Sequence, residues 1–337
     1  MNIQVIKAKL KAKWTRYTFV LALVQFLILS VIEAYVAFNI SKVSSTLTKT
    51  AQETKDIKVL QVYHILFIIA QAFQSLFVCD AVFSQNTISL LAVIIFNASS
   101  TVYSIIQQNQ FMQLNFQDQS APEKLAVAKT TYPIIIVLSG FFTLLSLFFC
   151  WKMHKELGWK IYKSLGADMA LKSMYRWYHT FILILQVDIF FYLGFSIQFI
   201  VLVLADENST ESGILNSNGR IQIAIHAGIG IATAFALYFI GSISVKREND
   251  KLFYAFFIGT IATLGYFLWK LSQIMDPSQA NRFRSVQKSL TYFTFMCISL
   301  ALGSLGVGGF VKSNFGNGLR THLMGENSNS RKRWMVE

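Results

Sequence analysis

Long apolar stretches alternate with short polar segments along the whole chain. Eight of these stretches reach the ~20 residues that an α-helix needs to cross the hydrocarbon core of a bilayer. They comprise approximately residues 17–40, 59–83, 87–107, 132–151, 180–204, 221–243, 252–272 and 289–311. Because hydrocarbon offers no hydrogen-bond partner to an exposed backbone, each stretch is predicted to be a membrane-spanning helix. The predicted fold class is therefore all-α, a polytopic transmembrane helical bundle of about eight spans.

The polar segments are too short to fold into domains of their own. Residues 17–311 are therefore predicted to form a single transmembrane domain, between a basic amino-terminal segment (1–16) and a basic flexible tail (312–337). Residues 152–179 alternate basic and aromatic side chains, which predicts an amphipathic helical loop lying on cytosolic head groups. The alternative for this loop is a docking site for a partner protein or a phosphoinositide.

The distribution of Lys and Arg predicts that both termini are cytosolic, because short cytosolic segments carry an excess of positive charge. Under this orientation the cytosol receives the basic residues of four segments: 1–16, 152–179, 246–251 and 312–337. The glycosylation sequon that begins at Asn208 then lies on the lumenal side, where such acceptors are used. Arg282, Arg284 and Lys288 disagree with this rule, because they also fall on the lumenal side.

Composition excludes several classes of function. Only 14% of the residues are charged, against ~25% in a soluble domain. The net charge of +13 lies in loops beside apolar spans and not on one soluble face, so nucleic acid is not a predicted partner. The three cysteines show no spacing typical of a zinc site or a disulfide framework, and no catalytic motif is present. We expect no enzyme activity, no metal and no cofactor.

Polar groups within the spans are the candidate site, because a charged side chain at the bilayer centre costs ~2.5–3.5 kcal/mol. The candidate residues are Glu33, His64, Asn97, Asp188, Tyr192 and His226. Depth places Glu33, His64 and His226 in one lumenal-side layer. Such groups either line a water-filled path or join helices through hydrogen bonds, and the sequence leaves both interpretations open. For His64 and Glu33, a structural pair is favoured over a metal site.

A stripe of small residues repeats every four positions along the sixth span. It consists of Ala224, Gly228, Ala232 and Ala236. Small side chains allow close approach of another helix, so this stripe is predicted to pack against a further span or a second copy of the chain.

Four motifs around the 152–179 loop carry a family resemblance. They are GWKIYK at 158–163, GAD at 166–168, MYR at 174–176 and DIFFYLGF at 188–195. This region resembles a fungal family of Golgi-apparatus multi-pass membrane proteins that has no assigned activity. The resemblance implies a Golgi or other endomembrane location and a multi-span architecture. It implies no mechanism and no functional residues.

Two classes of function are compatible with these features. The leading hypothesis is a solute or ion carrier in which the intramembrane carboxylates Glu33 and Asp188 line a cavity. The alternative is a non-catalytic scaffold or trafficking component that binds partner proteins or anionic lipid head groups through its basic cytosolic face. A polar cavity that reaches Asp188 would favour the carrier, and tight packing around it would favour the scaffold.

Overall fold

The computed structural model describes residues 12–46, 51–84, 87–113, 122–165, 169–207, 230–279, 283–284 and 286–317. Within these ranges the chain forms eight α-helices and one short 3₁₀ turn at Pro277–Gln279. The α-helices are α1 (Lys13–Thr46), α2 (Ala51–Ser84), α3 (Thr87–Gln113), α4 (Pro122–Leu165), α5 (Met169–Glu207), α6 (Ile231–Arg247), α7 (Asp250–Met275) and α8 (Gln287–Ser313). The prediction of an all-α polytopic bundle is confirmed.

Seven of the described helices are long and apolar enough to cross a membrane, all except α6. The 17 residues of α6 extend ~25 Å, somewhat less than the ~30 Å of a hydrocarbon core. The predicted sixth span, 221–243, begins outside the described residues, so α6 represents only its second part. Large apolar side chains such as Val137, Leu144 and Ile258 are about 70% exposed, as expected for surfaces that contact lipid.

Successive helices run in opposite directions, which places the start of α1 and the end of α8 at the same end of the bundle. Trp14 of α1 packs on Phe148 near the end of α4. Helix α5 begins a few residues after α4 ends, and its Trp177 stacks on Phe310 of α8. We call this the near end, and the other, where α7 ends and α8 begins, the far end. That the near end is cytosolic stays a prediction.

The 152–179 segment is not the separate loop that the sequence predicted. Residues up to Leu165 continue α4, and residues from Met169 already belong to α5. The helical conformation predicted for this segment is present on both sides of 166–168, whereas its position on the head groups stays a prediction. The two spans therefore extend beyond the apolar stretch at the near end.

Local capping explains the tight turn between α6 and α7. Asn249 accepts hydrogen bonds at its side-chain oxygen from the backbone N–H groups of Lys251 and Leu252. It thereby satisfies two amides at the start of α7. Glu248 adopts a left-handed conformation, with φ of 50°, which ends α6.

At the other end of α7, the backbone N–H of Ser278 donates a hydrogen bond to the Asp276 carboxylate. This hydrogen bond lowers the pKa of Asp276.

The face on which α6 packs differs from the prediction. Ala232 and Ala236 of the predicted stripe are exposed, and Ala224 and Gly228 lie outside the described residues. The buried face contains Ala234, Leu237 and Gly241, with spacings of three and four residues. This spacing follows one face of a 3.6-residue helix, whereas a strict repeat of four turns gradually away from the contact. Ala232 and Ala236 therefore do not pack against another described span, which corrects that part of the prediction.

A glycine fixes the contact between α5 and α8. A Cβ atom at Gly194 would lie 2.8 Å from Cδ1 of Phe293 and even closer to Cε1. The Phe293 ring cannot easily move, because it is 2% exposed and packs against Tyr103, Phe190 and Phe191. The close approach of these two helices thus requires a residue without a side chain.

We predict that Gly194→Ala destabilises the bundle by ~1–3 kcal/mol, because the added methyl group overpacks this contact. The measurement is the free energy of unfolding in detergent micelles, followed by circular dichroism. Gly306→Ala, on α8, is the matched control, since a Cβ there meets no atom within 4 Å. Equal stability of the two variants would contradict the close contact at Gly194.

Candidate functional site

The structure brings together two of the predicted intramembrane residues at the far-end side of the bundle. Glu33 of α1 and His64 of α2 are both fully buried, and His64 Nδ1 contacts Glu33 Oε2. Gln107 of α3 places Nε2 3.4 Å from the same carboxylate oxygen. Tyr132 of α4 places its hydroxyl 3.1 Å from His64 Nε2. We call these four residues the Glu33–His64 cluster, and it joins four consecutive helices.

The hydrogen bonds of the Glu33–His64 cluster form a consistent chain. In the tautomer that carries its proton on Nδ1, His64 donates to the Glu33 carboxylate and accepts the O–H of Tyr132 at Nε2. Gln107 Nε2 also lies 3.0 Å from His64 Nδ1. A protonated His64 also fits, with Nε2–H donating to the tyrosine oxygen. The Tyr132 ring stacks on the His64 ring at a centroid distance of 5.8 Å, which fixes the plane of the imidazole. The geometry is that of a paired structural group, as the sequence favoured.

Glu33 and Gln107 each keep one buried oxygen, Oε1, that accepts no hydrogen bond from the described residues. Breaking the pair would leave a further buried group without a partner. Removing one member of a buried charged pair typically costs ~3–5 kcal/mol. The Glu33–His64 cluster is therefore expected to matter for stability whichever function the protein has.

Asn97 belongs to a second cluster, made of side-chain amides. Gln25 of α1 places Nε2 2.7 Å from Asn97 Oδ1, 3.1 Å from Gln71 Oε1 and 3.0 Å from Gln74 Oε1. One NH₂ group has only two hydrogens, so these three acceptors share them. Gln74 donates in return to Gln25 Oε1 at 2.9 Å. All four side chains are at most 1% exposed, and we call them the amide cluster.

The two clusters lie at different depths. Gln25 precedes Glu33 by two helical turns on α1, which corresponds to ~12 Å. The sequence did not single out Gln25, Gln71, Gln74, Gln107 or Tyr132, although all five take part in the clusters. For the four glutamines, the available signal was an uncharged amide side chain within an apolar run, because such a group is costly in lipid without a partner.

Asp188 and Tyr192 lie elsewhere, on α5. Asp188 lies eight residues into the predicted span 180–204, counted from its near end, and is 8% exposed. Its neighbours include Tyr192 and Cys297, and Tyr192 packs on the Phe267 ring at 4.9 Å. The buried Oδ1 atom of Asp188 accepts no hydrogen bond from the described residues. Asp188 thus lies within a membrane span, apart from both clusters.

The remaining predicted residues give no site in the described part of the chain. His226 and Asn208 lie outside it. No three His, Cys, Asp or Glu side chains in the described ranges come together to hold a metal ion. At the centre of the bundle, between α2, α3, α5 and α8, a cavity of about 10 Å³ is lined mainly by aromatic rings and by Ser99 and Ser100. That volume holds about one water molecule.

Basic and aromatic side chains collect at the near end, on α1 and α4. This set, which we call the basic aromatic surface, comprises Lys13, Trp14, Arg16, Tyr17, Trp151, Lys152 and Lys155. The sequence predicted the contribution from residues after 151. It did not predict that the start of α1 packs beside them.

Comparison with known proteins supports the compartment and the architecture. The chain is 22% identical, over 285 residues, to a UPF0658 Golgi apparatus membrane protein of Schizosaccharomyces pombe. The alignment covers 77% of each of the two chains. The predicted resemblance and the predicted Golgi or endomembrane localisation are thereby confirmed. No family model and no solved structure matches the chain.

We predict that Glu33 and His64 are energetically coupled. His64→Leu should destabilise the protein by ~3–5 kcal/mol, because it leaves the Glu33 carboxylate buried without its main donor. Adding Glu33→Leu should restore part of this loss, with a coupling energy of ~0.5–3 kcal/mol. The measurement is a double-mutant cycle of unfolding free energies in detergent micelles.

The control for this cycle combines His64→Leu with Gln74→Leu, in the amide cluster. The two positions are ten residues apart on α2, or ~15 Å, so their effects should add. If Glu33→Leu and His64→Leu were equally additive, the hydrogen-bonded pair would not exist in the folded protein.

Proposed function

We propose that this multi-pass membrane protein is a non-catalytic scaffold or trafficking component, which binds anionic lipid head groups and partner proteins through its near end. The observation that carries the proposal is the basic aromatic surface on α1 and α4. Exposed cations beside aromatic rings are typical of surfaces at the head-group level of a bilayer.

The aromatic rings hold the cations of this surface in place without neutralising them. Lys152 Nζ lies 5.0 Å from the Trp151 ring centre and 5.5 Å from that of Trp14. Lys155 Nζ lies 3.9 Å above the Trp151 ring. Glu156, the acidic residue between the two helices, places its carboxylate 3.4 Å from the backbone N–H of Thr15. The surface keeps an excess of positive charge, which favours an anionic ligand.

The closed interior also supports a scaffold over a carrier. Glu33 and His64, which a carrier would expose to solute, are fully buried and bonded to side chains of neighbouring helices. Asp188 is surrounded by packed side chains, including the fully buried Cys297. Tight packing at these positions is what a scaffold predicts.

We expect the double substitution Lys152→Gln, Lys155→Gln to weaken binding of a fluorescent short-chain phosphatidylserine to the detergent-solubilised protein. Each basic residue near an anionic head group contributes ~1 kcal/mol, so the dissociation constant should rise roughly thirtyfold. Fluorescence anisotropy at low ionic strength measures this change.

The matched control removes two charges from the far end, at Lys42 and Lys129, which are both exposed. Lys42→Gln, Lys129→Gln should leave the dissociation constant within about twofold of the parent. An equal loss in both double variants would indicate an effect of net charge alone and would overturn the assignment to the near end.

A carrier is the second candidate, and Asp188 is the observation that favours it. A carboxyl group at the centre of a membrane helix, with an oxygen that none of the described residues bonds, is by default a functional candidate. In a carrier it would bind a proton or a cation during part of the cycle.

The carrier predicts that Asp188→Asn reduces solute-coupled proton flux at least about tenfold, because the amide cannot exchange a proton at this position. The measurement uses reconstituted vesicles that contain a pH-sensitive dye, with a panel of solutes outside. Asp250→Asn is the control, since Asp250 is exposed and pairs with Lys312 at the near end. For any solute that the parent carries, unchanged flux in Asp188→Asn would exclude Asp188 as the coupling group.

A further inference from the structure

We propose that a groove at the far end, between α3, α7 and α8, binds one anionic phospholipid. Its acyl chain would lie along the apolar walls, and its phosphate would contact Lys288. The groove has a volume of about 560 Å³, and its lining includes Ile106, Leu271, Met275, Lys288, Thr291 and Phe295. This volume lies within the ~300–1,000 Å³ of typical ligand sites. The inference is independent of the proposed function, which rests on the near end.

Two hydrogen bonds hold α8 in place beside the groove. Tyr292 donates its hydroxyl proton to the backbone oxygen of Ser99 on α3, at 3.1 Å. Gln287 donates from Nε2 to the backbone oxygen of Ile274 on α7, at 3.3 Å. Helix α8 is therefore tied to both walls, and no described residue fills the space between Ile106 of α3 and Leu271 of α7.

The polarity of the groove changes along α8 in the way that an amphiphile requires. Gln287 and Lys288 form the mouth, at the first residues of the helix. Phe295 lies two turns further into the membrane, ~12 Å deeper than Gln287. Phe295 and Met275 are 60% and 63% exposed, so a chain in the groove would cover apolar surface. A head group at the mouth with a hydrocarbon chain below it matches this order.

The charge at the mouth favours an anionic head group. Lys288 is exposed, and so is Arg284, four residues before it. The nearest acidic group along α7, Asp276, already accepts the N–H of Ser278 at 2.9 Å. Basic residues between membrane helices are a recurrent way of binding lipid phosphates. Contact with a phosphate would also give a role to Arg284 and Lys288, which do not fit the rule that basic residues lie on the cytosolic side.

Native mass spectrometry of the detergent-purified full chain tests the proposal, with phosphatidylglycerol and phosphatidylcholine of identical acyl chains as probes. The parent in this test and all variants carry Lys152→Gln and Lys155→Gln, which weaken lipid binding at the near end. The parent should retain one phosphatidylglycerol at about tenfold lower lipid concentration than phosphatidylcholine. Lys288→Gln should remove this preference, because it deletes the cation at the mouth. Lys129→Gln, an exposed lysine at the same end on α4, should keep it. Equal losses in the two variants would overturn the proposal.

A groove-filling variant provides a second test that does not depend on charge. Thr291→Trp places an indole in the groove and should abolish retention of both lipids. Leu302→Trp is its control, since Leu302 is 54% exposed on the same helix outside the groove. Both variants should unfold at the temperature of the parent. With the near end weakened by Lys152→Gln and Lys155→Gln, retention of phosphatidylglycerol by Thr291→Trp would exclude the groove as the binding site.

Discussion

The inability of hydrocarbon to form hydrogen bonds governs the arrangement of this bundle. A polar side chain within a span must find its partner on another helix, because no water is present at that depth. The Glu33–His64 cluster meets this requirement with one residue from each of α1 to α4. The amide cluster meets it again, two turns closer to the near end on α1. Two fixed points at different depths define the relative register of α1, α2 and α3, which apolar packing alone specifies weakly.

The sequence predicted those parts of the fold that depend on composition along one helix. The spans follow from the length of each apolar run, and the depth of Glu33 and His64 follows from their distance to the ends of their runs. Lateral neighbours do not follow, because they depend on how each helix is rotated in the bundle. For this reason Gln107 and Tyr132 were missed, and Ala232 and Ala236 do not lie on the face of α6 that packs against the described spans.

The second half of the bundle is held together differently from the first. Between α3, α5 and α8 the contacts are mainly aromatic, with Phe96 on Phe190 at 4.7 Å and Phe191 on Phe293 at 5.6 Å. Polar contacts are few by comparison among the described residues, and Gln198 to Ser289, at 3.0 Å, is one that joins α5 to α8. Such packing relies on shape, which explains why a glycine is needed at 194. It also leaves space at the far end, where, within the described ranges, α8 joins the walls on α3 and α7.

The two proposed functions lead to opposite expectations for the role of Asp188. In the first half of the bundle, buried polar groups join helices and so contribute to the register. The Oδ1 atom of Asp188 forms no such link to the described residues, although the group carries the desolvation cost of a buried position within a membrane span. An apolar residue would pack at this position at lower cost, because aromatic contacts already join α5 to α7 and α8. In a scaffold this carboxyl group therefore has no functional role, whereas in a carrier it would be the group that binds the proton or cation.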